Sequence, residues 1–110
     1  MQRIIIFAET KQRGIEKLDN IIKGLNPDDI SRYSKSINNA FVELKDGTYY
    51  KVATASDSSR GGKADKVYVE KYISNDILNC IIKPCLIPST LPEEERIEFY
   101  YIKYIFYRKE

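Results

Sequence analysis

Histidine and tryptophan are absent from this chain, cysteine occurs twice and methionine once. Without histidine there is no Ser-His-Asp triad, no Cys-His pair, no imidazole metal site and no side chain that titrates near neutrality in its unperturbed state. Cys80 and Cys85 are too few to close a tetrahedral zinc site alone, and neither has an imidazole to activate it. They read as structural thiols. Excess charge of one sign is also lacking: 18 Lys and Arg stand against 16 Asp and Glu, a net +2 over 110 residues. Dedicated nucleic-acid binders show a stronger basic excess or a basic stripe. Long apolar runs are missing too. The stretch from Ile77 to Ile87 contains Asn79, Lys83 and Pro84 and falls short of the roughly 20 apolar residues that span a bilayer. The chain opens directly into the strand-like run Arg3-Ile4-Ile5-Ile6-Phe7-Ala8 with no charged-then-apolar leader before it, which predicts a cytoplasmic protein.

What is present is ordinary globular composition, 43% hydrophobic and 31% charged, enough for a single domain with a real core. Ile4, Ile5 and Ile6 form the continuous apolar run of a strand covered on both faces. Thr10 offers an N-cap. Ile15, Leu18, Ile21 and Ile22 then follow at helical spacing, with Gly24 as a stop. Asn26-Pro27-Asp28-Asp29 reads as a second helix start, predicting a short helix from Pro27 to Ser34. Phe41 to Lys45 and Thr48 to Ala53 flank Asp46-Gly47, the signature of a hairpin with a two-residue turn of positive φ. Residues Ala55 to Lys63, rich in Ser and Gly, predict an exposed loop. Lys66 to Glu70 reads as another strand, and Asp76 to Ile82 as a short helix ending before Pro84. The aromatic run from Ile97 to Tyr107 reads as a long strand, either central or an edge paired with another chain. The expected fold is α/β or α+β, a single domain over residues 1–110 with a mixed sheet, a central β-hairpin and two to three helices.

The motifs carry little chemistry. Gly61-Gly62-Lys63 has the composition of an anion cradle, but Asp57 and Ala64 occupy positions where a P-loop requires Gly and Ser or Thr. Its anion-binding form would rest on Arg60, Lys63 and Lys66. Glu43, Asp46, Asp57, Asp65 and Glu70 match no ligand loop, and Glu93-Glu94-Glu95 reads as a solvated entry to the last strand. Nine tyrosines beside four phenylalanines suit a core rim or an interaction surface. No catalytic set, metal site or cofactor site emerges.

The strand Ile4 to Ala8 with Glu9-Thr10, then Phe41 to Val52, then Asp57-Ser58-Ser59-Arg60-Gly61-Gly62-Lys63-Ala64-Asp65-Lys66-Val67-Tyr68-Val69-Glu70, resembles the middle of the ATPase domain of phage terminase large subunits and related helicase-like ATPases. The resemblance covers residues 3 to 71. It implies an α/β sheet with parallel strands and an inserted hairpin, and a phage or mobile-element origin. It would set Glu70 at the metal-binding acid and Lys71 in place of the catalytic glutamate, and the nucleotide-binding P-loop is missing.

The resulting expectation is a small, non-enzymatic phage-type accessory protein that binds a macromolecular partner, foremost a protein. Its partner surface would be Arg60, Gly61, Gly62, Lys63 and Lys66. A homodimer would form through Tyr101, Lys103, Ile105 and Tyr107 of the last strand. The competing expectation is nucleic-acid binding in replication, packaging or regulation, with Arg60, Lys63, Lys66 and Lys71 on phosphates. A third is a metal-dependent nuclease built on Asp57, Asp65 and Glu70. No membrane partner is expected.

Overall fold

In the computed structural model, residues 2–54, 63–71, 73–88 and 91–100 are described, with backbone only at 80 and 81. Strand β1 (Arg3–Ala8) leads into helix α1 (Lys11–Gly24). Thr10 caps that helix by accepting the Arg13 N–H. β2 (Ile30–Ser36), β3 (Asn39–Leu44) and β4 (Tyr49–Thr54) follow, then β5 (Lys66–Glu70), the short helix α2 (Asn75–Ile77) and β6 (Ile97–Tyr100). All six strands join one mixed sheet in the order β2-β3-β4-β1-β5-β6. β1 runs parallel to both β4 and β5, β5 runs parallel to β6, and β2-β3-β4 is an antiparallel meander. The architecture is α/β with an inserted meander.

Ile4, Ile5, Ile6 and Phe7 are buried because each face of central strand β1 is covered by a different layer. Ile6 points to α1, packing with Leu18, Ala40, Val42 and Tyr100. Ile5 and Phe7 point the other way, into Val67, Val69, Ala53, Ile82, Cys85 and Leu86. The crossover from β1 to β4 carries α1, and that from β5 to β6 carries the helical segment 75–85 on the opposite face. The two crossovers lead away from each other, so the gap between β1 and β5 is the sheet's topological switch point.

Three local readings need correction. Asn26 does cap, its Oδ1 accepting the Asp28 N–H at 3.0 Å, but the predicted helix closes after the 3-10 turn Pro27–Asp29. The following Ile30–Ser36 pairs with β3. Ser31, Tyr33 and Ser34 are poor helix formers, so strand pairing outweighs one capped turn. The hairpin turn has three residues: Gly47 N–H bonds Leu44 O at 3.0 Å and Leu44 N–H bonds Thr48 O at 2.8 Å. Only Gly47 has positive φ, at 94°, as in a type I turn closed by a glycine bulge. The segment after α2 does not stop before Pro84. It widens to a π turn over Leu78–Ile82 and tightens to a 3-10 turn over Lys83–Cys85, where Pro84 occupies an early position that needs no N–H.

Candidate functional site at the carboxyl edge of the sheet

Ligands of open α/β sheets sit outside the carboxyl ends of the strands at the switch point. Here β1 ends in Ala8, followed by Glu9 and Thr10, and β5 ends in Glu70. Tyr100 closes β6 beside it, in register with Glu70. The Glu70 side chain is fully buried. Its Oε1 accepts the Glu9 N–H at 2.9 Å and its Oε2 lies 3.2 Å from Arg13 Nη1. Arg13, in the first turn of α1, also pairs with the Glu9 carboxylate. The Tyr100 hydroxyl donates to the Phe7 carbonyl at 3.2 Å. Burial, with the Glu70 carboxylate adding to it, pushes this phenol well above its ordinary range.

The chemical consequence follows from what these groups already hold. A carboxylate removed from water must be paired to remain charged, and Glu70 is paired by an arginine and a backbone amide of its own chain. The acid that the resemblance would set at a metal thus lies inside an internal ion-pair network. Sequence reasoning reached Glu70 and missed its partners. The one local signal was the four-residue spacing of Glu9, just before the helix cap, and Arg13 in the first turn.

The other expected sets are dispersed. Asp65 precedes β5 and Glu70 ends it, about 16 Å apart along the strand. Asp65 instead accepts the Arg3 N–H at 2.8 Å at the amino edge, so it cannot join Glu70 at a metal. Asp57 lies outside the described residues. Lys63 donates to the Pro84 carbonyl at 3.3 Å and lines a basin of about 500 Å³ with Arg3, Arg32, Glu43 and Asp65. Lys66 faces α1, with its ammonium 3.3 Å from Glu98 and over the Tyr68 ring. The two lysines therefore serve opposite faces, and Lys71 follows β5 at the far edge. Arg60, Gly61 and Gly62, and Tyr101, Lys103, Ile105 and Tyr107, lie outside the described residues. Cys85 is buried against the α2 face, where burial raises its thiol pKa; the side chain of Cys80 is not described.

No helix among the described residues is long and apolar enough to cross a membrane, and no described group of three or more Cys, Asp and Glu could hold a metal ion. Compared with models of known protein families the chain matches none, and no curated protein matches its sequence.

Proposed function

We propose that this chain is a non-enzymatic cytoplasmic protein of phage or mobile-element type that acts by binding a macromolecular partner, a protein. The observation that carries this reading is the internal neutralisation of Glu70. The acid at the switch point is fully buried and held by Arg13 and the Glu9 amide, so it is spent on structure. Side chains that could meet a partner lie at the sheet's margins. Edge strand β2 exposes Tyr33, and β6, the opposite edge among the described strands, exposes Phe99. The edge position of β6 supports a homodimer through the residues that follow it in sequence, Tyr101, Lys103, Ile105 and Tyr107. The phage-type origin rests on the resemblance alone.

The test is affinity capture from the native host cell with the wild-type chain and with Arg60→Ala/Lys63→Ala. A partner retained by wild type and lost by the double variant supports both the reading and the loop assignment. Metal-dependent nucleotide or nucleic-acid hydrolysis by the pure chain, abolished by Glu70→Gln, would overturn the non-enzymatic reading. A second reading is nucleic-acid binding, for which the basin supplies Arg3 and Lys63 beside Asp65 and the Arg32–Glu43 ion pair. Fluorescence anisotropy with an oligonucleotide at two salt concentrations separates them, because phosphate contacts weaken steeply with salt.

A further inference from the structure

Arg32, Glu43, Tyr49 and Arg3 stand side by side across β2, β3, β4 and β1, because each is the register partner of the next. Strand alternation sets this row on the face that carries Ile5 and Phe7. Asp65 extends it by accepting the Arg3 N–H at 2.8 Å. Together with Gln2, Lys63 and Ile87, these residues line the basin of about 500 Å³. That volume lies within the roughly 300–1,000 Å³ of small-molecule sites. The basin is at the amino edge of the sheet, opposite to the switch point and its buried Glu70.

Three cations meet two acids in this lining, and they are engaged differently. The Arg32 guanidinium holds Glu43 at 2.6 Å. The Arg3 guanidinium donates to the Lys63 carbonyl at 3.5 Å, and the Lys63 ammonium to the Pro84 carbonyl at 3.3 Å. Among the described residues neither of these two cations is ion-paired with a carboxylate. Between the Arg32–Glu43 pair and Arg3 lies Tyr49, whose ring stacks on Phe41 with centroids 5.6 Å apart and planes 25° apart. The ligand this combination selects is an anion that carries a flat ring of its own. A peptide carboxylate would meet the cations and leave the ring unused. A nucleic-acid duplex would do the same, because its bases are already stacked on one another.

We infer that the basin at the amino edge binds one unpaired nucleotide, its phosphate at Arg3 and Lys63 and its base against Tyr49. Cationic groups that hold the backbone beside an aromatic ring that takes a base are the recurring parts of single-strand sites. The inference rests on the nucleic-acid reading and sharpens it from phosphate contact to contact with an exposed base. A single strand and a free mononucleotide both supply this chemistry.

Fluorescence anisotropy of the full chain with a dye-labelled single-stranded oligothymidylate tests this, with the same strand annealed to its complement as the duplex arm. The single strand should bind more tightly than the duplex. Tyr49→Leu should weaken it about tenfold, the worth of one stacked base, and Tyr49→Phe, which keeps the ring, should bind as wild type. Arg3→Gln should weaken it too and lower its salt slope by about 1. Circular dichroism identifies a misfolded variant; if Tyr49→Leu does not fold, the strand preference and the Arg3→Gln slope decide. Given that dependence on Tyr49 and Arg3, displacement by thymidine monophosphate assigns the basin to a free nucleotide, and failure to displace assigns it to a strand. No binding of the single strand would overturn the inference. So would duplex binding of equal strength, or single-strand binding that the folded variants leave unchanged, although nucleic-acid binding elsewhere on the chain would then stand. Capture of the host protein, measured separately, stands or falls independently.

Discussion

The Glu70 carboxylate lies 3.2 Å from the Arg13 guanidinium, with the acid fully buried and the arginine partly exposed. A buried ion pair adds little net stability, but removing one member strands the other without water. Arg13→Ala should therefore destabilise the fold by about 2 kcal/mol, less than a wholly buried pair because water reaches the arginine. The double variant Arg13→Met/Glu70→Leu should recover most of that loss. Urea unfolding at neutral pH measures both. A loss under about 0.5 kcal/mol, as for a surface pair, would show that the network does not hold the switch point closed.

Helix α1 approaches β4 at Gly14, where an added Cβ would overlap Val52 Cγ1 and touch Ala8. Gly14→Ala should cost about 1–3 kcal/mol through overpacking, despite the roughly 1 kcal/mol by which alanine favours a helix. At Gly24 a Cβ meets nothing within 4 Å. Gly24→Ala should stabilise, by up to about 1 kcal/mol. Opposite signs for the two glycines in one thermal series are the expected result.

Gly47 closes the β3–β4 turn at φ 94°, a conformation that opposes any side chain. Gly47→Ala should cost about 1 kcal/mol. Gly47→Asn should cost less, since asparagine tolerates the left-handed region. Chemical denaturation ranks the three proteins, and equal midpoints would contradict this turn geometry.

Stability should depend on pH at both extremes. The Lys35 ammonium, and after it that of Lys23, hold the Asp19 carboxyl below its usual range. The folded state then binds fewer protons in acid, so the contribution is present above about pH 4 and is lost as pH falls through the folded pKa. Tyr100 behaves oppositely. Its phenol is raised in the folded state, so its contribution is present below about pH 10 and is lost as pH rises past that value. Thermal midpoints over pH should show a flatter acid limb for Asp19→Asn and a flatter alkaline limb for Tyr100→Phe. Unchanged limbs would remove these assignments.

Much of the fold is legible locally. The triple isoleucine of β1, the Thr10 cap with Ile15 and Leu18 on one helix face, and the Asp46-Gly47 turn each signal through neighbouring residues. The β2 strand was not legible, because Asn26-Pro27-Asp28-Asp29 has true helix-start chemistry and only pairing with β3 diverts Ile30 to Ser36. Pro84 misled for a related reason: a proline ends an α-helix but enters a fresh 3-10 turn without loss.

The candidate site divides along the same line. Sequence alone determined which catalytic chemistries lack their residues, and it pointed to Glu70 as a notable acid at a strand end. Only the tertiary structure decided what Glu70 does. Strand order and two crossovers of opposite direction bring Glu9, Arg13, Glu70 and Tyr100 together from separations of up to 91 residues. Local propensity acts over a few residues, whereas the pairing of parallel strands acts between segments that carry no local record of each other.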